Sequence, residues 1–307
     1  MSFEWLKALR RRASAAVELS WRAGFLAAGR LAPSRAQRWS ATGVDRVVVI
    51  SPHPDDEAIA CSGTMLRHRA AGDVVVVAIV TDGRLSKQAA TPDEMAAVRR
   101  HEALLAAQRL GIARLEWLGL PEGAWDGVEL EKRLRALLEQ VEPTIVYAPS
   151  RVDFHPEHLS VAQSLASTFG SLGGTLVARV RVRVYQVQVP LTRILANVVA
   201  DVAPVLAESD AALRAYESQA GSVESVRRRR RYGALAHRAS GPVEEFWELT
   251  AAEYAELHRG PHAEWLGKFR GVRRFAWTDP LAYWFGNAER RRLQAAAAAL
   301  RRAQVSA

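Results

Sequence analysis

The stretch Val47-Val48-Val49-Ile50-Ser51-Pro52-His53-Pro54-Asp55-Asp56-Glu57 decides the reading of this chain. Four consecutive β-branched residues predict a strand buried on both faces, as inside a parallel sheet. A short turn dense in imidazole and carboxylate follows it. The same arrangement recurs outward along the chain. Val74 to Val80 is a second apolar run, ending in Thr81-Asp82-Gly83. Leu115-Glu116-Trp117-Leu118 is a third strand. Thr144-Ile145-Val146-Tyr147, introduced by Pro143, is a fourth, and it leads into Asp153-Phe154-His155-Pro156-Glu157-His158. Apolar residues at helical spacing fill the intervals at roughly 57–71, 92–110 and 128–141. Alternation of this kind predicts an α/β fold: a Rossmann-like three-layer sandwich whose mostly parallel sheet is wound by right-handed crossovers.

The flanks read differently. Val177 to Val189 alternates valine with arginine and predicts a long strand with one polar face. A short strand near Asn197–Val202 and a helix from Ser209 to Gln219 follow. Residues 1–42 are basic, with apolar positions at helical spacing (Phe3, Leu6, Leu9, Val17, Leu19, Trp21, Phe25, Leu26), which predicts two or three short amphipathic helices. The tail, 285–307, is rich in Ala and Arg and helical in pattern. The expected organisation is one domain over 43–250, a helical extension over 1–42 and a mostly helical extension over 251–307.

Composition excludes several classes. A length of 307 residues suffices for one large core. Cys61 is the single cysteine, so no internal disulfide framework exists. No apolar run is long enough to cross a bilayer, and Arg interrupts the N-terminal apolar residues too often for a signal peptide. The cytoplasm is therefore the expected location. The net charge of +9 favours anionic partners. Two segments concentrate it. Arg227 to Arg231 reads either as a solvated, mobile run or as a contact for a phosphate on the substrate. Residues 1–42 read either as a helix lying on an anionic membrane or as one packed on the back of the domain. Nucleic acid is not an expected partner.

In open α/β sheets, sites form beyond the carboxyl ends of the strands, and here the polar turns lie there. A hydrolytic zinc site takes three His or carboxylate ligands and keeps one position open. His53 and Asp56 are three residues apart, so one turn of chain can aim both at one ion. His155 and His158 share that separation, and Pro156 suits the first helical position between them. One His–x–x–Asp pair with one His from the other loop makes a three-ligand set. Asp55 and the second His then remain for acid–base work. The competing reading of Asp55-Asp56-Glu57 is a helix N-cap with dipole-favourable charges. Two such clusters, each directly after a buried strand, favour the metal site.

Pro52-His53-Pro54-Asp55-Asp56-Glu57 together with His155-Pro156-Glu157-His158 resembles the paired signatures of the LmbE/PIG-L family of metal-dependent N-deacetylases. Thr81-Asp82-Gly83, Arg99-x-x-Glu102, Gly119-Leu120 with Asp126 beyond, Tyr216-x-Ser218-Gln219 and Glu244-x-Phe246 fall in the family's order, so the resemblance covers about 44–250. It implies a Rossmann-like fold and hydrolysis of an N-acetyl amide on a sugar or glycoconjugate. It implies one divalent metal held by His53, Asp56 and His158; zinc is the first expectation, and ferrous iron suits the same donors. It implies Asp55 as general base, and His155 as the group that steadies the oxyanion or protonates the leaving amine. Arg99 and Asp126 fall where relatives contact the sugar, with Asp82 close by. Asp153 is expected either to orient His155 or to be a turn residue. Two positions depart from the pattern. Glu157 replaces the usual Asp, at little expected cost, and Ser62-Gly63 replaces a common Gly-Gly pair. If the two basic segments contact anions, the substrate is a lipid-linked or envelope glycan precursor. A metal-dependent phosphoesterase is the alternative, but such sites often use two bridged metals and the donors here suffice for one. A nucleotide-binding Rossmann protein is disfavoured, because no Gly-x-Gly-x-x-Gly follows the first strand.

Overall fold

The structure is a computed structural model describing residues 3–31, 34–86, 89, 91–219, 222–259, 283 and 286–306; residues 3–15, 17, 222, 305 and 306 are described as backbone alone. Its elements run α1 (Phe3–Leu31), β1 (Gln37–Trp39), β2 (Arg46–Ser51), α2 (Asp56–Ala71), β3 (Val74–Thr81), α3 (Pro92–Leu110), β4 (Arg114–Leu120), α4 (Gly127–Val141), β5 (Ile145–Pro149), α5 (Pro156–Leu172), α6 (Gly174–Arg179) and β6 (Arg181–Tyr185). They continue with α7 (Thr192–Leu195), β7 (Val198–Asp201), α8 (Leu206–Leu213), α9 (Ser222–His237), β8 (Val243–Thr250), α10 (Ala251–His258) and α11 (Asn287–Ser306).

Among the described residues one sheet has the order β1-β7-β8-β6-β5-β2-β3-β4. Strand β8 pairs antiparallel with both β6 and β7, and every other pairing is parallel. Alternate residues of β2 and β3 feed opposite faces. Val48, Ile50, Val76 and Ala78 pack into one core with α4, α5, α10 and α11. Val47, Val49, Val75, Val77 and Ile79 pack into the other with α2, α3 and α8. This is the three-layer sandwich that the two-sided apolar strands require.

Local signals set the helix ends. Thr91 and Glu94 form a reciprocal capping box with Pro92 in the first turn of α3, and Gly111 closes that helix at φ 62°. His155 is the N-cap of α5, with Pro156 as the first helical residue. The chain leaves β2 toward β3 and later returns to place β5 on the other side of β2. The direction of winding therefore reverses at β2, and the turns after β2 and β5 meet there.

The flanks correct the sequence reading in four places. Val177 to Val189 is not one strand. Leu176, Val177 and Val180 are also spaced for a helix face, Gly173 and Gly174 take positive φ, and α6 precedes a short β6. Val187 and Val189 are buried after the chain has left the sheet. The predicted helix at Ser209–Gln219 begins earlier and ends at Leu213, with a separate turn of 3-10 helix at Glu217–Gln219. Residues 1–42 form one long helix and an unforeseen edge strand, β1, parallel to β7. The apolar positions Phe3, Leu6, Leu9 and Val17 lie outside the described side chains. Farther along α1, Phe25 stacks on Tyr232 of α9 with ring centroids 4.8 Å apart, so this part of the helix packs on the domain. The arginine run, finally, is neither mobile nor fully solvated. It lies within α9, where Arg230 is 3% exposed and Arg227 pairs with Asp210 at 2.6 Å. Most of 259–286 lies outside the described residues. Among the described residues no helix is long and apolar enough to cross a membrane.

Candidate metal centre and catalytic pocket

Residues of the turns after β2 and β5 converge on one point. His53 Nδ1 lies 3.1 Å from Asp56 Oδ2 and 3.2 Å from His158 Nε2. His158 Nε2 and Asp56 Oδ2 are themselves 3.1 Å apart. Three ligand atoms thus form a nearly equilateral triangle. Donors bound at ~2.1 Å would be spaced about 3.0 Å in octahedral and about 3.4 Å in tetrahedral coordination, so the triangle fits a single divalent ion. Nitrogen atoms of His53, His155 and His158 also lie within 4.8 Å of one another, so the described residues contain a group able to hold a metal.

Electrostatics agree with geometry. Burial disfavours a charged imidazole, yet hydrogen bonds with Asp56 and Glu157 lift His53 to about 9. Burial likewise opposes charge on His158, but Asp56 and Asp153 raise it well above the ordinary imidazole value. Burial also works against the Asp56 carboxylate, and the charges and hydrogen bonds of His158 and His53 hold it well below its ordinary range. The pocket therefore favours positive charge at the triangle, which protons or a metal ion can supply.

Neighbouring groups fix the donors. His53 Nε2 donates to Glu157 Oε2 at 2.6 Å, which turns Nδ1 toward the triangle. The other Glu157 oxygen accepts from the Gly123 N–H at 2.6 Å and from Trp125 Nε1 at 2.8 Å. Glu157 was expected to matter little; in the structure its carboxylate orients a candidate ligand. Asp153 Oδ2 lies 3.2 Å from His158 Nδ1, and Asp153 Oδ1 accepts the His155 backbone N–H at 2.9 Å. Asp153 thus faces the imidazole of His158 rather than that of His155.

Asp55 stands beside the triangle in a strained conformation, φ 133° and ψ −25°, and makes no side-chain cap for α2. Its backbone N–H donates to Glu57 Oε2 at 3.1 Å. Glu57 is held in turn by Ser51 Oγ at 2.9 Å and by the Tyr216 hydroxyl. Burial pushes the Asp55 carboxyl up to about 7, aided by Asp56 and Glu57 and opposed by Arg99, whose Nη2 lies 3.1 Å from Asp55 Oδ1. His155 faces the same pocket. Its Nδ1 accepts the Glu157 backbone N–H at 3.3 Å, so Nε2 carries the ring proton. Burial, with His158 and His53 beside it, depresses His155 to about 3.

The pocket is a cavity of about 230 Å³ lined by His53, Asp55, Asp56, Arg99, His155 and His158, among others. Glu122, Gln188 and Gln219 also line it, and of these the sequence reading had noted Gln219 alone, as part of a motif. Glu122 follows the carboxyl end of β4, so the rule that found the other turns could have found it. Asp126 does not line the cavity: it caps α4, accepting the Val128 N–H at 3.2 Å. Asp82 stands one step back, accepting the Glu122 N–H at 3.2 Å and pairing with Arg84 at 2.7 Å.

Residues 48–169 match the family described as PIG-L, GlcNAc-PI de-N-acetylase. The matched segment is similar to a PIG-L family domain and holds both turns of the triangle. Over 188 residues the chain is 27% identical to the 1D-myo-inositol 2-acetamido-2-deoxy-alpha-D-glucopyranoside deacetylase of Kineococcus radiotolerans, covering 47% of this chain and 52% of that one. The chain spans about half the length of the first curated relatives it matches. In fold it is similar to the N,N'-diacetylchitobiose deacetylase of Pyrococcus horikoshii, with a TM-score of 0.59, 21% identity, and 68% and 85% of the two chains covered. The 4-carboxy-2-hydroxymuconate hydratase of Pseudomonas putida is also similar, with a TM-score of 0.58, 18% identity, and 66% and 95% covered. Proteins similar to this chain in fold are thus named for more than one reaction, and the chemistry must be argued from the site.

Proposed function

We propose that this protein is a metal-dependent N-deacetylase that hydrolyses the acetamide of an N-acetylated sugar or sugar conjugate. The observation that carries the reading is the donor triangle of His53, Asp56 and His158 with the strained Asp55 carboxyl beside it. These three residues would hold one ion, zinc first and ferrous iron by the same donor chemistry. When bound, the ion supplies a Lewis acid that polarises the acetyl carbonyl and acidifies water.

The protein's own groups do the rest. Asp55, with a pKa of about 7, takes the proton from the attacking water. The His155 Nε2–H points a donor at the developing oxyanion. Such a donor lowers the barrier by roughly 3–4 kcal/mol. Because His155 is depressed to about 3, it acts as a neutral donor rather than an imidazolium. The amine therefore receives its proton from Asp55, which acquired one in the preceding step. Arg99 pairs with Asp55 and keeps its carboxylate aligned between these events. The Kineococcus relative is named for an acetamido-sugar substrate, which supports the substrate class.

The test is amine release from N-acetylglucosamine in free, nucleotide-linked, inositol-linked and lipid-linked forms, each with a chelator control. Chelator-sensitive release from any member is expected. No release by metal-loaded protein across the panel would contradict the proposal. An inner-face membrane location and a lipid-linked substrate are supported only by the basic character of α1, and preference for the lipid-linked form in the same panel is their test.

A further inference from the structure

We propose that Gln188 contacts the substrate and selects its hydroxyl or amide groups, an inference that rests on the deacetylase reading above. Gln188 lies beyond β6, on the cavity wall shared with Arg99, Glu122 and Gln219. The residue is 7% exposed, and its Oε1 is buried with no hydrogen-bond partner among the described residues. A buried acceptor left unpaired is costly, and native structures rarely keep one without a use.

The backbone around this residue is held at successive points. The Gln188 N–H donates to Asp153 Oδ2 at 3.3 Å, the carboxylate that also faces His158. Arg229 of α9 donates to the Val187 carbonyl. Arg290 of α11 donates to the Pro190 carbonyl at 2.8 Å. Gln186 Oε1 accepts the Leu191 N–H at 2.7 Å. Thus the half-buried Arg229, the buried Arg290 and one carboxylate of the site fix the segment, while the Gln188 carboxamide takes no part in holding it. A clamped backbone bearing a free amide is the arrangement of a recognition group, since little side-chain order remains to be lost on binding. An acceptor needs a donor. Sugar hydroxyls and the acetamide N–H are donors; a fully ionised phosphate is not.

Gln188→Leu keeps the volume and removes the acceptor. With metal-loaded full chain and the best N-acetylated sugar of the panel, KM should rise about tenfold or more, the loss expected when a substrate donor is left unpaired. Metal content should stay unchanged, and the melting midpoint should stay level or rise. Unchanged KM and kcat would overturn the proposal. So would a lost ion or a lowered midpoint accompanying the lost activity, which would make Gln188 a structural prop. If wild-type protein releases no amine, the deacetylase reading fails separately. Ligand-detected NMR with N-acetylglucosamine and glucosamine then decides for Gln188: binding to wild type but not to Gln188→Leu supports it, and binding to both or to neither overturns it.

Discussion

Two buried clusters of charge in this molecule look alike in composition and differ in what they can do. In one, Glu244 of β8 meets donors on every side. It accepts the Gly63 and Thr64 N–H groups at 3.0 and 2.8 Å, the Thr64 hydroxyl at 2.6 Å, and the guanidinium of Arg230. In the other, His53, Asp56 and His158 turn ligand atoms toward one another across 3.1–3.2 Å. In the first cluster both Glu244 oxygens have donors, and the contacts join α2, α9 and β8. The second is completed only by added positive charge. Buried carboxylates alone do not mark a site; ligand atoms of three side chains converging on one point do.

Substitutions should separate the two clusters. The largest effect is expected for Asp55→Asn, which should keep the metal and lower turnover by ~10²–10⁴-fold, the usual contribution of a general base. Loss of the ion in that variant would move Asp55 into the ligand set. Glu244→Ala removes the close carboxylate partner of buried Arg230, leaving it only Asp210 at 3.9 Å, itself paired with Arg227, and should cost ~3–5 kcal/mol in chemical denaturation while the folded fraction keeps its metal. A stable Glu244→Ala protein that cannot hold metal would erase the distinction between the clusters. Glu157→Gln weakens the partner of His53 and should reduce metal affinity about 10–100-fold with less effect on kcat, as read by competition with a chromogenic chelator.

The pH dependence follows from the same groups. His53 and His158 are raised above ordinary imidazole values, so at neutral pH a metal ion must displace their protons. Metal affinity should therefore strengthen with rising pH toward about 9, with proton release measurable by calorimetry in buffers of different ionisation enthalpy. Asp55 works as a base only when deprotonated, so kcat/KM of metal-loaded enzyme should rise with pH along an acid limb at or below about 7, a dication lowering the value further. A rate that falls across that range would contradict the base assignment.

Much of the site was legible because parallel α/β sheets put chemistry in the turns after strands, and His53, Asp55, Asp56, His155 and His158 lie in two such turns. The central strands were legible because residues buried on both faces leave an uninterrupted apolar run. Legibility failed where a residue's role depends on a partner far away in sequence. Arg230 looked like one of five solvated arginines, because nothing near it announces Glu244. Asp126 looked like a pocket residue and is a helix cap, whereas Glu122, four residues earlier, faces His53 at 3.7 Å. Val187 and Val189 looked like strand because alternation persists in a segment whose backbone is held by Asp153, Arg229 and Arg290 instead of a neighbouring strand. Glu157 looked dispensable because its longer reach to His53 shows only in three dimensions.

The central claim is that His53, Asp56 and His158 hold one catalytic ion while Asp55 does chemistry beside it. Metal equivalents and amine release, measured together on wild type, His158→Ala and Asp55→Asn, test it most directly. The account predicts one ion per chain and turnover for wild type, neither for His158→Ala, and the ion without turnover for Asp55→Asn. A His158→Ala protein that keeps its ion and its activity would contradict it.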